Sequence, residues 1–172
     1  QNRAIYRYQG ATGAYWVTAD YKSSTNLQNV LRRLDKGTEP PEGDASEQYL
    51  FLPSGLLAFW LQNAKGERVD SAPDFIASDR EATGTDSRVH VGLSCIRCHV
   101  EGIRPINDWA RRIYQGRQRL ASPDYERNER LQQLYLDDLQ GKVKEDQEAY
   151  ARRLLELTGW KPAELAKNYY QV

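Results

Sequence analysis

The sequence predicts an α+β chain, with a strand-rich N-terminal half, arranged as hairpins or a meander, packed against a helical C-terminal half. Three observations predict it. Up to about residue 91 the apolar residues come in short, partly alternating runs separated by glycine and proline clusters, the pattern of strands and turns. From residue 105 onward they recur at helical spacing behind recognisable helix starts. At 172 residues the chain can bury one sizeable core and nothing in it forces a division, so a single domain over 1–172 is expected.

The segment "GAYWVTADY" (13–21) sets Tyr15, Val17 and Ala19 on one side of a strand and Trp16 and Thr18 on the other. "DKGTEPPEGDAS" (35–46) reads as a loop, because Pro40-Pro41 cannot sit within a helix or a central strand. "EQYLFLPSGLLAFWLQNAKGERV" (47–69) holds two apolar runs, broken by Pro53-Ser54-Gly55 and closed by Lys65-Gly66, as a β-meander would be. Periodicity alone also allows a short buried helix over Leu56 to Leu61; strand propensity favours the strand.

Four helices are expected behind these. "PINDWARRIYQGRQRL" (105–120) offers Asn107 as N-cap, with Trp109, Ile113, Gly116 and Leu120 on one face. "SPDYERNERLQQLYLDDL" (122–139) begins with Ser122 as cap and Pro123 in the first turn, and Leu131, Leu134 and Leu139 mark its apolar side. "KEDQEAYARRLLELTG" (144–159) carries Tyr150, Leu154 and Leu157 and ends at Gly159, and "KPAELAKNYY" (161–170) has Pro162 near its start. Paired arginines on these helices read as solvated outer faces.

Composition narrows the partners. Lysine plus arginine and aspartate plus glutamate balance at 24 each, so no net field recruits nucleic acid or an anionic membrane. No stretch approaches the roughly 18 apolar residues of a membrane span, and no transmembrane segment is expected. No leader of charged, apolar and small residues opens the chain, which reads as a mature form or a piece of something larger.

Chemistry concentrates at "GLSCIRCHVEGIRP" (92–105), which holds the only two cysteines and, directly after the second, one of only two histidines. Cys95-Ile96-Arg97-Cys98-His99 fits C-x-x-C-H, the spacing for covalent haem attachment. Two thiols about one helical turn apart can add to the two vinyl groups of one haem edge, and the residue after them turns its imidazole to the iron. The reading is therefore one haem c, bound through Cys95 and Cys98 with His99 as proximal ligand. Three plainer readings compete. A thioredoxin-like pair would start a helix after a buried strand, and "SRVHVGLS" is a weak one. A zinc site would recruit His90 to Cys95, Cys98 and His99, crowding a tetrahedron. A disulfide leaves His99 unexplained and closes too small a loop to stabilise much. Haem is attached to thiols beyond the cytoplasmic membrane in bacteria, so an exported, periplasmic or extracytoplasmic protein is expected.

With these segments in hand, the chain resembles the single-haem cytochrome c domain of large exported multi-domain proteins from Planctomycetes-type bacteria. The resemblance runs nearly end to end, through "NRAIYRY", "GAYWVTADY", "FLPSGLLAFWLQNAKGERVDSAPDFIASD" and "GLSCIRCHVEG", then "DWARRIYQ", "LQQLYL" and "KEDQEAYARRL". C-x-x-C-H is common to all c-type cytochromes, whereas "LPSGLLAFWL" followed by "GLSC" is much narrower. The resemblance implies covalent haem and electron transfer, with a redox partner protein or a neighbouring domain of the same chain as partner. Two positions depart from the family's pattern: Ile96 stands where Met is usual, and Tyr8 where relatives often carry His. If that His serves the iron, Tyr8 has to replace it or the site differs.

The iron's second face is the open question. There is no methionine in the sequence, so a His/Met site is excluded. His90 is the one other imidazole, and the residues between it and Cys95 span at most about 17 Å, enough to curl over the far face with Gly92 easing the bend. Against that stands an ordinary loop histidine, or one touching a haem propionate; a lysine, Tyr8 or an empty position completes the alternatives. A closed iron serves electron transfer, whereas an open one binds a small ligand, as a gas sensor or peroxidase-like catalyst does. Arg97 and Arg104 are candidates for pairing the propionates or for plain exposed positions, and Trp60 and Trp109 for packing on haem or core.

Overall fold

Alternating short apolar runs need a partner strand, and here each finds the next one along the chain. The computed structural model describes residues 3–23, 43–73, 78–79, 87–108 and 138–169. Four strands, β1 (Arg3–Gly10), β2 (Gly13–Asp20), β3 (Ala45–Phe51) and β4 (Leu57–Asn63), form one antiparallel sheet in the order β1-β2-β3-β4. This is the expected meander, and Leu57–Asn63 is strand rather than helix. β3 starts at Ala45, inside the stretch read as loop. Its first residues are recruited by pairing, Asp20 opposite Ala45 on one side and Asn63 opposite Ala45 on the other.

The pleat separates two faces. The partners Arg7, Trp16, Tyr49 and Phe59 lie in one row across the sheet, and Tyr8, Tyr15, Leu50 and Ala58 lie in the next, pointing the other way. The first face builds the main core: Trp16 and Tyr49 are buried with Ile103 and Val143, and Ile5, Phe51, Leu57 and Phe59 pack around them. The second face carries Ala4, Ala19, Tyr21 and Tyr6, and Tyr8 stacks between Tyr6 and Tyr15 at ring separations of 6.4 and 5.1 Å. The division of Tyr15, Val17 and Ala19 from Trp16 and Thr18 is the one the alternation predicts.

Three helices follow among the described residues: α1 (Leu93–Cys98), α2 (Leu139–Thr158) and α3 (Pro162–Tyr169). α2 begins before the expected start at Lys144, so Leu139 opens this helix instead of closing the one before it. The cause is Asp138, whose side chain caps the helix by accepting from the Gly141 amide at 2.9 Å. Val143, Asp146, Tyr150 and Leu154 form its buried stripe, and Gly159 ends it in a left-handed conformation, as expected. Leu157 is not part of that stripe and is half exposed. The helices read over 105–120 and 122–139, with Trp109, Ile113, Gly116, Leu120, Ser122, Pro123, Leu131 and Leu134, lie outside the described residues apart from their ends.

α2 is fixed to the sheet by a polar clamp set in the core. The Asp146 carboxylate accepts from Arg7 Nε and Nη2 at 2.8 and 2.9 Å and from Trp16 Nε1 at 2.8 Å. Burying a carboxylate is costly unless its oxygens are paired, and here both are. Among the described residues no helix is long and apolar enough to cross a membrane.

Candidate functional site

The chain enters α1 through a pair of isolated bridges, Ser78 with Arg88 and Ser71 with His90, rather than a full strand. Gly92 supplies the N-terminal turn with φ 86°, where a side chain would be strained. Having no side chain, Gly92 leaves the capping to neighbours. The His90 amide donates to Ser94 Oγ at 3.1 Å, and the Ser94 amide donates back to the His90 carbonyl at 3.2 Å. At the other end Arg97 Nη1 lies 2.9 Å from Asp79 Oδ2, an aspartate that is itself buried. Arg97 is thus not the exposed residue that was the plainer of its two expected roles; it anchors α1. Arg104 is exposed.

The helix presents its two thiols unequally. Cys95 is buried, with its thiol 3.9 Å from the His90 carbonyl, and Cys98 is exposed; both are free. Burial pushes the Cys95 thiol up to about 11, against the opposing pull of backbone amide contacts. Cys98 is raised as well, first by desolvation and then by the Asp79 charge. A redox-active pair needs a thiolate near neutral pH, so these shifts run against the thioredoxin-like reading. The zinc reading lacks its geometry, because among the described residues no three His, Cys, Asp or Glu side chains converge to hold a metal ion.

His99 is the best-positioned group of the motif. It ends α1, where its amide donates to the Cys95 carbonyl at 2.8 Å, and its ring packs on Tyr49 and Phe59 at centroid distances of 4.8 and 5.7 Å. Its Nδ1 is 3.0 Å from the Gly102 carbonyl oxygen. A carbonyl only accepts, so Nδ1 carries the proton and the lone pair resides on Nε2. Desolvation lowers the imidazole's pKa, which favours the neutral form, the one that ligates a metal. The chemistry of this set fits haem c: two free thiols one turn apart, then an imidazole with its second nitrogen already engaged, as ligating histidines usually have.

A buried polar row lies alongside. Thr18 Oγ1 donates to Asp20 at 2.7 Å, Arg3 pairs with Asp20 and, at 3.3 Å, with Glu47, and burial first and then the Glu47 charge raise the pKa of the Tyr49 hydroxyl. The Glu47 charge is felt at Cys95, Cys98 and His99. None of Glu47, Tyr49, Phe59, Asp79 or Gly102 is singled out by the sequence, because each reaches the motif through folding. The alternation in "EQYLF" and "LLAFW" was the one available signal, as it places Tyr49 and Phe59 on the core face.

Two expected residues fall elsewhere. Tyr8 lies on the opposite face of the sheet from Tyr49 and Phe59, against which His99 packs, and so cannot serve the same site. Trp60 is on that opposite face too, exposed rather than in the core, with the Arg68 guanidinium 5.4 Å from its ring. His90 sits just before α1, opposite Ser71 in a bridge closed by its neighbours Val89 and Val91, and its amide donates to Ser94 Oγ. Comparisons with protein-family models, curated proteins and solved structures find no match to the chain.

Proposed function

We propose that the chain is a mono-haem c-type cytochrome unit, with Cys95 and Cys98 as the covalent anchors and His99 as the proximal ligand, and that it transfers electrons. The observation that carries this is the His99 Nδ1 to Gly102 carbonyl bond: it assigns the ring proton to Nδ1 and leaves the lone pair on Nε2, in the residue directly after two thiols not joined in a disulfide. Haem so bound supplies one-electron exchange at a potential set by its ligands and surroundings. The protein's part is to hold and shield. Cys95 and Cys98 would hold the haem covalently through their thiols, Tyr49 and Phe59 shield the imidazole from water, and the Gly102 carbonyl keeps its proton on Nδ1.

This reading places the protein outside the cytoplasm and gives it a redox partner protein or a neighbouring domain as partner, in keeping with its resemblance to the exported Planctomycetes-type domain. His90 is the candidate for the iron's sixth position. Produced with export and haem-attachment machinery, the denatured chain should gain the mass of one haem, and the Cys95→Ser/Cys98→Ser variant should gain none. A wild-type chain that emerges colourless after acid extraction rejects the proposal. With His90 as ligand the ferric protein is low-spin and His90→Ala turns it high-spin; a wild type already high-spin and quick to bind carbon monoxide indicates a ligand-binding haem. The midpoint should lie below those of His/Met cytochromes, since there is no methionine to ligate the iron and favour the ferrous state.

A further inference from the structure

The Gly102 carbonyl can hold His99 only if the turn after α1 is itself held. Gly102 is buried with φ 97°, its amide donates to the His99 carbonyl at 2.9 Å, and its own carbonyl receives the ring proton. One glycine thus closes both ends of the loop on His99. What presses on it comes from far along the chain. A Cβ added at Gly102 would sit 2.8 Å from Cδ1 of Tyr150 and within 3.5 Å of two more atoms of that ring, so the ring rests directly on the glycine. The Tyr150 hydroxyl reaches the Val100 carbonyl at 3.4 Å, bracketing the same turn. Tyr150 in turn is one helical turn beyond Asp146, whose clamp on Arg7 and Trp16 fixes α2 to the sheet.

We infer that Tyr150 is a positioning residue for His99: its ring, held on the clamped face of α2, keeps the Gly102 carbonyl aligned on Nδ1 and so sets the orientation and donor strength of the imidazole. In its consequence for an iron this rests on the function proposed above, but the geometry concerns only the chain. A ligating imidazole that donates its second N–H to a carbonyl is the stronger donor, so loosening this bond raises an iron's midpoint potential. Simple destabilisation of α2 does not have that signature.

The test measures the exchange lifetime of the His99 Nδ1 proton by nuclear magnetic resonance on the full chain, with haem attached if it attaches and without it if it does not. Tyr150→Ala should shorten the lifetime about tenfold, as losing one hydrogen bond of ordinary strength would. Tyr150→Phe, which keeps the ring, should stay within about twofold of wild type. Val143→Ala, a cavity in the same helix about two turns before Tyr150, controls for loss of stability. In haem-loaded protein the midpoint should rise for Tyr150→Ala and not for Val143→Ala. Equal effects of Tyr150→Ala and Val143→Ala, an unchanged lifetime in Tyr150→Ala, or a Tyr150→Phe as fast as the alanine variant would each overturn the inference. Absence of attached haem would overturn the proposed function instead, leaving the lifetime to decide the role of Tyr150.

Discussion

α1 and α2 are both helices, but they are helical for different reasons. α2 has 20 residues, an aspartate cap, a left-handed glycine stop and a buried stripe at helical spacing. α1 has six residues and no side-chain cap on its Gly92 start, and its Leu93 and Ile96 stand exposed. Short helices are marginal by themselves in water. α1 is held at its ends by ties to residues beyond it, Ser94 to the His90 backbone at one end and Arg97 to Asp79 at the other. The difference teaches where the chain supports a scaffold and where it supports a site: the scaffold helix is specified by its own residues, the site helix by its neighbours.

The comparison breaks most readily at α2. Removing the Asp146 carboxylate leaves the Arg7 charge and the Trp16 N–H without their partner in a largely buried setting, and breaking such a pair costs about 3 kcal/mol or more. Asp146→Ala should lower global stability by that much in a urea titration, with every probe shifting together; a loss under about 1 kcal/mol would mean that apolar packing alone holds α2.

α1 should respond locally instead. Asp79→Ala strips Arg97 of a buried carboxylate, worth roughly 1–3 kcal/mol, and amide exchange in α1 should quicken while α2 keeps its protection. Equal quickening in both helices would contradict the distinction drawn between them.

pH sharpens the contrast between the two thiols. In the chain kept free of haem, the folded-state pKa of Cys95 lies above its unfolded value, so the associated stability is present below the ordinary thiol range near 8.5 and is lost as pH rises through about 11. Stability should therefore decline from about pH 8.5 upward, and less so in Cys95→Ala. Alkylation at pH 8 should label exposed Cys98 first; simultaneous labelling would show that Cys95 is open to solvent. The smallest effect is expected at Leu157, half exposed at the end of α2, where Leu157→Gln should change stability by no more than about 0.5 kcal/mol.

How much of this was legible follows the same division. The motif could be read because Cys95, Cys98 and His99 are neighbours in sequence, and the meander because strand alternation and turn residues are local signals. The start of α2 could not. Gln140-Gly141 reads as a break, and only Asp138 folding back onto the Gly141 amide makes it a first turn. Likewise Arg97 was ambiguous because its partner Asp79 is 18 residues away, and Gly102 gave no hint of the Tyr150 ring above it. Trp60 departs from the expected core packing because an aromatic in a strand favours burial in general, while the pleat decides which face it takes.

Cys95 retains only 2% of its accessible surface. A reagent the size of a haem cannot be brought to so enclosed a sulfur, so in the proposed function the order of events during maturation is constrained. Neighbouring strands of the meander can pair early, since sequence-local contacts form fastest. The Arg7–Asp146 clamp joins residues 139 apart and can close only after α2 has been delivered. Attachment would then belong before the fold around Cys95 is complete, with the sheet already there to receive the motif.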